Sequence, residues 1–522
     1  MAKTEIIHLG TAIPNFKEDI GNDFIYRVAD NNEEEILVNK QAVISGGQLN
    51  SKYRGSIFLV TGQNFLEKSQ VSTLRALPAN SIIIDDKLVI SADVERALEL
   101  KNPQFIDFKN TQDLAKQIKK YFFAGQLGYK LNFDKVRFNP SFMGTITQLG
   151  HNSFKVESKN NNQYEKVMSW HAPLGIAPNT EWDVILEHER LTLTTNLKLR
   201  LSLVNPQNER RYLLKDIKND ELNQDIKIDV APQGGYLVAE IFVKGSDISF
   251  EIGQIHVRHS RGHRGEMLIG EHEIIDESQL NSSVLYYFDS GDFKPPLNVY
   301  FSGFRTAEGV EGGIMMRNLK SPSLIFGDQR ILGGSFYVGS SKIQKGIIEV
   351  IKQTMEKLNF EPNDLIFSGL SMGTYAALYY SSFLSPAWVI IGKPLVNLGT
   401  IAGNERINRP NGFPTSLDVL LRLTGDVNHE NLMKANNIFW DVFSKNGHKG
   451  TNFVIAYMEN DDYDQYAFDQ LTEYLHESVP ESRIIHKGLV GRHNDATGEL
   501  IQWYLQQYRN ILETEYGKKF ED

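Results

Sequence analysis

The stretch that decides the fold of this chain is residues 364–380, Asp-Leu-Ile-Phe-Ser-Gly-Leu-Ser-Met-Gly-Thr-Tyr-Ala-Ala-Leu-Tyr-Tyr. The apolar run 365–367 predicts a short buried strand, and the run 375–379 predicts a buried helix. Between them, Gly-Leu-Ser-Met-Gly has the G-x-S-x-G pattern of a nucleophile elbow, a tight turn that lifts a serine clear of a sheet. The order strand, elbow, helix therefore predicts that Ser371 is a nucleophile.

The residues around this serine suit an oxyanion hole. Glycines on both sides are needed because the turn is too tight for a β-carbon there. The helix that follows supplies N–H groups and the positive end of its dipole. We expect the backbone N–H of Met372 to be one donor, and that of Phe304 or Arg305 to be the second. The alternative interpretation is a glycine-rich turn with an idle serine, and the partners found downstream distinguish the two.

The acid that would accompany the serine is expected further along the chain. In α/β-hydrolases the order is nucleophile, acid, histidine, and the last two lie on loops that follow strands. The predicted strand 452–457 leads into an acidic loop in which Asp461 has the usual offset for the acid. Asp462 is the close alternative. A solvated acidic loop without a catalytic role is the other interpretation.

The base is predicted in the loop that precedes the last helix. His493 lies in a glycine-containing loop before the predicted terminal helix 497–512, whereas His486 is still inside the preceding strand and is predicted to be structural. A serine hydroxyl is a poor nucleophile at neutral pH, so His493 would take its proton and later return it. Asp461 would orient the imidazole and stabilise its charged form.

The composition limits the classes of protein that the chain can belong to. Its 522 residues are 41% hydrophobic and 23% charged, which is typical of a globular protein of several domains. The net charge of −10 argues against a nucleic-acid partner. The absence of cysteine excludes disulfides, thiolate catalysis and zinc–cysteine sites. We predict no metal site, no signal peptide and no membrane span, and a cytoplasmic location is allowed.

The pattern of strands and helices predicts an α/β fold with three parts. Residues 1–130 predict a small α/β docking domain, and residues 131–268 predict a β-sandwich that is like a carbohydrate-binding module. Residues 269–522 predict an α/β-hydrolase domain with a doubly wound, mostly parallel sheet. Within it, residues 396–447 are too long for a simple crossover and predict an inserted cap over the site.

The predicted sandwich has strands with a clear alternation of residue types, and it contains aromatic side chains that could either bind sugars or belong to the core. Residues 191–195 and 197–203 alternate strictly between polar and apolar types, which predicts two half-buried antiparallel strands. Trp170, Trp182 and Tyr236 are candidates for stacking on sugar rings. Aromatic residues in a sandwich more commonly belong to the core, and that is the interpretation we favour.

The sandwich is followed by a run rich in histidine and arginine, His-Val-Arg-His-Ser-Arg-Gly-His-Arg at residues 256–264. Three histidines suggest a metal site. The interleaved arginines would repel a cation, however, and the run contains no carboxylate. We therefore predict a basic surface loop, available for contact with an anion or a partner.

Several of these motifs together resemble a known family. The elbow at 369–373, the Asn-Asp-Asp-Tyr-Asp loop at 460–464, the Gly-Arg-His-Asn-Asp loop at 491–495 and the three-part layout look like the second accessory secretory proteins of Gram-positive bacteria. The resemblance covers the whole chain, and its specific motifs lie in the C-terminal half. It carries the family's serine, acid and histidine over to Ser371, Asp461 and His493, although the family also accepts glutamate as the acid.

The resemblance implies a function in protein export. The family belongs to the accessory Sec system, which exports serine-rich repeat glycoprotein adhesins. It implies O-acetylation of N-acetylglucosamine on the adhesin before export, with the first and third accessory secretory proteins and the accessory SecA motor as partners. It also implies a cytoplasmic protein and allows peripheral association with the inner face of the cell membrane. No bound cofactor is expected, and an acetyl donor such as acetyl-CoA would supply the acyl group.

Two classes of function therefore remain open at this point. One is a serine acyltransferase or esterase that acts on glycans. The other is a structural export factor, or chaperone, whose hydrolase-like domain is a non-catalytic scaffold. An intact serine–histidine–acid arrangement in three dimensions favours the first, and a displaced arrangement favours the second.

Overall fold

The structure is a computed structural model that describes residues 3–32, 35–123, 125–131, 133–224, 226–230, 234–262, 264, 272–445 and 448–520. His263 and residues 446–447, which fall within the predicted basic loop and the predicted cap, lie outside the described residues. Within these ranges the fold is mixed α/β, and the strands form four sheets of five, nine, eight and four strands.

The N-terminal part is built on a parallel sheet. Its strands in the order β2-β1-β7-β8-β9 are all parallel, and β3 to β6 form a small antiparallel sheet beside them. Buried apolar side chains such as Ile6, Ile7 and Leu59 cover both faces of the parallel sheet, as expected when helices pack on each side. The elements are β1 (Thr4–Leu9), α1 (Phe16–Ile20), β2 (Phe24–Val28), β3 (Asp30–Asn32), β4 (Glu35–Val38), β5 (Gln41–Ser45), β6 (Gln48–Leu49), β7 (Ile57–Val60), α2 (Val71–Ala76), β8 (Ile82–Asp85), α3 (Ala92–Lys101), β9 (Gln104–Ile106) and α4 (Thr111–Tyr121).

The middle part is antiparallel and is held together by two long strands. β13 and β18 pair along most of their length, and β18 also pairs with β14, β15 and β10. Trp170 and Trp182 are fully buried in the core of this sheet, which confirms the core interpretation for both, whereas Tyr236 is 42% exposed. The strands are β10 (Gly128–Leu131), β11 (Val136–Phe138), β12 (Thr145–Leu149), β13 (Ser153–Ile176), β14 (Glu181–Arg190), β15 (Asn196–Val204), β16 (Arg211–Lys218), β17 (Ile226–Asp229) and β18 (Gly235–His259).

Two expectations for this part were wrong. The first concerns residues 191–195, which form a turn rather than a strand, so that β15 begins only at Asn196. The hydroxyls of Thr192 and Thr194 both donate to the carbonyl of Asp247, a local alternative to strand pairing that the alternation of residue types does not reveal. Leu193 is fully exposed at the tip of this turn.

The second wrong expectation is the basic surface loop at residues 256–264. The first four residues of this run are the end of β18, and the side chains of His256 and Arg258 are buried. The prediction failed because the carboxylates that neutralise these side chains, Glu187, Glu273 and Glu308, lie outside the run and are brought to it by other elements.

The C-terminal part is built on a third sheet, in the order β19-β20-β22-β21-β23-β24-β25-β26. β20 is antiparallel to its two neighbours, and every pair from β22 onward is parallel. The elements are β19 (Glu273–Asp276), β20 (Ser282–Asp289), β21 (Leu297–Phe301), α5 (Gly313–Asn318), β22 (Ser323–Asp328), α6 (Ser341–Leu358), β23 (Leu365–Leu370), α7 (Met372–Leu384), β24 (Trp388–Gly392), α8 (Leu398–Ile407), α9 (Ser416–Thr424), α10 (His429–Phe443), β25 (Asn452–Met458), α11 (Ala467–Ser478), β26 (Ile484–Leu489) and α12 (Thr497–Tyr516).

This sheet positions the predicted site. Alternate residues of β23 point into two different hydrophobic cores, Phe367 into one and Ile366 into the other, so both faces of the sheet are covered. The elbow follows β23 in the middle of the sheet, and the acidic loop and the histidine loop follow β25 and β26 at the same edge. Carboxyl ends of parallel strands meet at one edge, so the three loops come together there.

The described part of the segment 396–447 contains three helices, α8, α9 and α10, between β24 and β25. Its helix α10 packs on α7, with the ring of Phe439 5.3 Å from that of Tyr375. The stretch between α8 and α9 carries Phe413, whose ring lies 5.2 Å from that of Phe304 in the loop after β21. The inserted segment therefore contacts both the elbow helix and the predicted oxyanion loop.

Candidate active site

The elbow has the strained geometry that its sequence requires. Ser371 has φ 51° and ψ −119°, a conformation that L residues rarely adopt, and α7 begins at the next residue. A β-carbon on Gly369 would lie 2.4 Å from the carbonyl oxygen of Gly373. One on Gly373 would lie 2.0 Å from the carbonyl oxygen of Phe301. Both positions therefore require glycine because the backbone of the neighbouring elements approaches so closely.

The three residues predicted as nucleophile, base and acid form a chain of hydrogen bonds. Ser371 Oγ lies 2.8 Å from His493 Nε2, and His493 Nδ1 lies 2.7 Å from Asp461 Oδ2. Because an ionised carboxylate only accepts, the Nδ1–H donates to Asp461, and Nε2 is left to accept from the serine hydroxyl. The imidazole is buried, so its hydrogen bond to Asp461 is shielded from water.

The two adjacent aspartates have different partners. Asp461 Oδ1 accepts from the N–H groups of Tyr463 and Asp464 at 2.8 and 3.2 Å. Burial alone would raise the pKa of Asp461, but the hydrogen bond from His493 and those from these two N–H groups hold its pKa below the ordinary value. Asp462 instead accepts from the backbone N–H of His493 at 3.0 Å and pairs with Arg409 at 3.1 Å. Asp462 therefore holds the histidine loop and does not contact the imidazole nitrogens.

The predicted oxyanion donors differ in availability. Met372 is the first residue of α7, and N–H groups in the first turn of a helix have no partner within the helix. The N–H of Arg305 donates to the carbonyl of Gly333 at 3.3 Å, so it is already engaged. Phe304 is therefore the better candidate of the two for the second donor, and its role stays a prediction.

Aromatic side chains form a connected group beside His493. The ring of Tyr463 lies 4.3 Å from that of His493, and Phe413 contacts both Tyr463 and Phe304. Phe304 is 40% exposed. The guanidinium of Arg409 lies 4.1 Å from the centre of the Tyr463 ring. Sequence reasoning missed Arg409 and Phe413 because nothing in the inserted segment indicates which of its residues return to the site.

A second buried carboxylate ties the acidic loop to the inserted segment. Asp464 accepts from the N–H groups of Val396 and Asn397 at 2.8 and 2.7 Å, and from the side-chain amide of Asn397 at 2.9 Å. Burial, opposed by these hydrogen bonds, raises its pKa to about 6. Asp464 therefore fixes the start of the insertion relative to the loop that carries Asp461.

The remaining predicted candidates lie apart from this arrangement. His486 is exposed on β26, with its ring 5.2 Å from that of Phe468. Among the described residues, the acidic group with metal-ligand spacing is Asp85, Asp86 and Asp107 in the N-terminal part. The ammonium of Lys87 already contacts Asp85 and Asp107, so a cation is present there without a metal.

None of the helices in the described ranges is both long and apolar enough to cross a bilayer.

Comparisons with known proteins agree over most of the chain. The family model described as the accessory Sec system GspB-transporter, which represents the second accessory secretory proteins, matches residues 11–518. The second accessory secretory protein of Staphylococcus aureus is 34% identical over 442 residues, which is 84% of either chain. That of Streptococcus gordonii is 36% identical over 417 residues, which is 80% of either chain.

A solved structure is similar over nearly the whole length. A chain of the glycosylation-associated protein (Gap123) complex from Streptococcus agalactiae superposes with a TM-score of 0.83 at 31% identity and covers 99% of both chains. The resemblance inferred from the motifs is thus confirmed by a match that extends well beyond them. The chain belongs to the family of second accessory secretory proteins of the accessory Sec system.

Proposed function

We propose that this protein is a serine-dependent O-acetyltransferase that acts on N-acetylglucosamine of a serine-rich repeat glycoprotein and is coupled to the export of that glycoprotein by the accessory Sec system. The observation that carries the proposal is the continuous hydrogen-bond path from Ser371 through His493 to Asp461. The strand order, with the elbow after the fifth strand of the sheet, supports an α/β-hydrolase scaffold for this chemistry.

The first half of the reaction would form an acyl-enzyme. Ser371 Oγ attacks the carbonyl carbon of the acetyl donor while its proton passes to His493 Nε2. The negative charge on the former carbonyl oxygen is stabilised by the Met372 N–H and, in our assignment, that of Phe304. Collapse of this intermediate breaks the bond to the leaving group, which takes the proton from His493. A thioester such as acetyl-CoA is a suitable donor because its thiol leaves readily.

The second half would transfer the acetyl group to a sugar. A sugar hydroxyl gives its proton to His493 as its oxygen attacks the acyl carbon. The bond between the acyl carbon and Ser371 Oγ then breaks, and Ser371 Oγ takes the proton from His493, which restores the resting enzyme. Transfer exceeds hydrolysis only if the acceptor is held in line and water is kept out. The exposed ring of Phe304, backed by Phe413, and the nearby ring of Tyr463 offer apolar faces on which a sugar ring can rest.

Family membership supports the biological setting that we propose. The structurally similar chain from S. agalactiae belongs to a multi-protein complex. By analogy, we propose that this protein assembles with the first and third accessory secretory proteins and acts with the accessory SecA motor. The site of action would be the cytoplasm, at the inner face of the cell membrane when the export machinery is engaged.

The proposal is tested by following acetyl transfer with purified protein. Wild type and Ser371→Ala are incubated with acetyl-CoA or p-nitrophenyl acetate, with and without an N-acetylglucosamine-modified peptide. We expect mass spectrometry to find acetyl-Ser371 in wild type alone, and acetylated peptide when the acceptor is present. Equal peptide acetylation by Ser371→Ala would contradict the proposal and favour the non-catalytic export scaffold.

A further inference from the structure

The loop that follows β21 is held by residues from outside its own sheet. This segment, residues 303–311, is called the clamped loop here, and it carries the candidate oxyanion donor Phe304. Its Glu308 is 1% exposed. One oxygen of Glu308 accepts from His256 Nδ1 at 2.7 Å, and the other accepts from Arg258 Nε at 2.7 Å. Both donors lie at the end of β18 in the middle sheet.

The charges around Glu308 make this attachment hard to release. Burial would raise the pKa of Glu308, but the charges of His256 and Arg258 hold it well below the ordinary value, so the carboxylate is ionised. His256 is also 3.4 Å from Glu187, and Arg258 also pairs with Glu273. Opening the loop would leave buried charges without their partners, which is strongly unfavourable.

A second attachment lies two residues further along the clamped loop. The side-chain amide of Gln126 donates to the carbonyl of Val310 at 2.8 Å and accepts from the N–H of the same residue at 2.7 Å. Gln126 stands just before β10, the strand that pairs with the end of β18. A β-carbon on Gly309 would lie 1.9 Å from the amide oxygen of Gln126, so the loop backbone is in close contact with this side chain.

The clamped loop is also tied at the end near Phe304. The N–H of Gly303 donates to Glu311 at 2.6 Å, and Arg305 Nε donates to the carbonyl of Glu308 at 3.2 Å. Both neighbours of Phe304 are therefore bonded to other residues of the clamped loop, Gly303 through its backbone N–H and Arg305 through its side chain.

We propose that His256, Arg258 and Gln126 are positioning residues for acyl transfer, because they fix the clamped loop in the conformation that presents an N–H to the oxyanion. This inference rests on the proposed function. It assigns a role to the buried histidine–arginine end of β18. It also means that the eight strands around the elbow do not form a competent active site without the middle sheet.

The test uses the full-length protein with Gln126→Leu, which keeps the size of the side chain and removes both hydrogen bonds to Val310. Gln344→Leu is the matched control, since Gln344 lies on α6, outside the clamped loop, and makes a part-buried hydrogen bond of 3.0 Å to the Tyr379 hydroxyl. Hydrolysis of p-nitrophenyl acetate gives kcat and KM. Reaction with a fluorophosphonate gives the rate at which Ser371 is modified. This reaction also places negative charge on an oxygen in its transition state, so its rate depends on the oxyanion donors.

Loss of one oxyanion donor typically lowers kcat by about 100- to 1000-fold. Displacement of a donor that is still present should therefore lower kcat by a smaller factor, about 10- to 100-fold. We expect this fall in kcat and in fluorophosphonate reactivity for Gln126→Leu, with KM within about twofold of wild type and a melting temperature no lower than that of the control. Glu308→Gln, which removes the charge at the other attachment, should act in the same direction if it folds.

The outcomes separate this inference from the function on which it rests. A wild type without Ser371-dependent turnover contradicts the proposed function and this inference together. An active wild type, with folded Gln126→Leu as active as Gln344→Leu, contradicts the inference alone. The inference would also be contradicted if Gln126→Leu and Gln344→Leu lost activity to the same extent and in proportion to their loss of thermal stability.

Discussion

Ser371 Oγ and His493 Nε2 lie 2.8 Å apart although 122 positions separate the two residues in the chain. The distance results from the sheet, because the elbow follows β23 and the histidine loop follows β26 at the same edge. The 2.7 Å contact between His493 and Asp461 extends the arrangement to a third loop.

The two adjacent aspartates should differ sharply in their effect on turnover. Asp461→Asn is expected to lower kcat for p-nitrophenyl acetate by about 10⁴-fold, because an amide no longer fixes the histidine tautomer that accepts the serine proton. Asp462→Asn keeps an oxygen that accepts from the His493 N–H, so it should lower kcat by less than about tenfold. Steady-state kinetics of the two variants decide the assignment, and a silent Asp461→Asn beside a damaging Asp462→Asn would reverse it.

Phe304→Ala should weaken binding of the sugar acceptor more than reaction with the acetyl donor. The variant keeps the backbone N–H at this position and loses the exposed ring, so we expect the KM for an N-acetylglucosamine acceptor to rise about 3- to 10-fold. Hydrolysis of p-nitrophenyl acetate should change by less than about twofold. Phe105→Ala is the matched control, since Phe105 is an exposed phenylalanine on the edge strand β9. Equal acceptor KM values for the two variants would show that the Phe304 ring does not contribute to acceptor binding.

Protonation of His448 should lower the free energy of unfolding in acid. Burial lowers the pKa of His448 from 6.5 to about 4, despite its hydrogen bond to the carbonyl of Phe443. The unfolded chain therefore binds a proton at a higher pH than the folded one, and the free energy of unfolding falls as the pH drops from 6.5 to 4. This residue contributes at most about 3 kcal/mol to that fall.

Urea unfolding at several pH values between 4.5 and 7.5 measures the contribution of His448. His448→Phe, which cannot titrate, should show a shallower loss of stability in acid than wild type. His476→Gln, a change at an exposed histidine of α11, should follow the wild-type pH dependence. Parallel curves for wild type and His448→Phe would mean that His448 is not held neutral in the folded protein.

The sequence allowed the reacting groups to be predicted because their order along the chain reflects the order of strands in the sheet. Ser371 was recognisable from its glycines, and Asp461 and His493 from their positions after successive strands. The structure brings all three together and gives Asp462 a different partner. These features are local, or follow from the parallel strand arrangement, so no knowledge of distant contacts was needed.

The features that sequence reasoning missed depend on distant contacts. His256 and Arg258 looked like an exposed basic run because Glu308, which neutralises them, lies some 50 positions away. Phe413 reaches the site only because the inserted segment folds back over the loop after β21. Neither contact leaves a local signal in composition or spacing. The strands β19 and β22 were likewise not predicted from their short apolar runs.

The measurement that tests the central claim most directly is mass spectrometry of the adhesin glycan. A serine-rich repeat glycoprotein is co-produced with wild type, with Ser371→Ala, or with Ser385→Ala, a matched control at another serine with positive φ. We predict O-acetylated N-acetylglucosamine with wild type and Ser385→Ala, and its absence with Ser371→Ala. Equal acetylation in all three samples would contradict the account and leave the protein as an export scaffold.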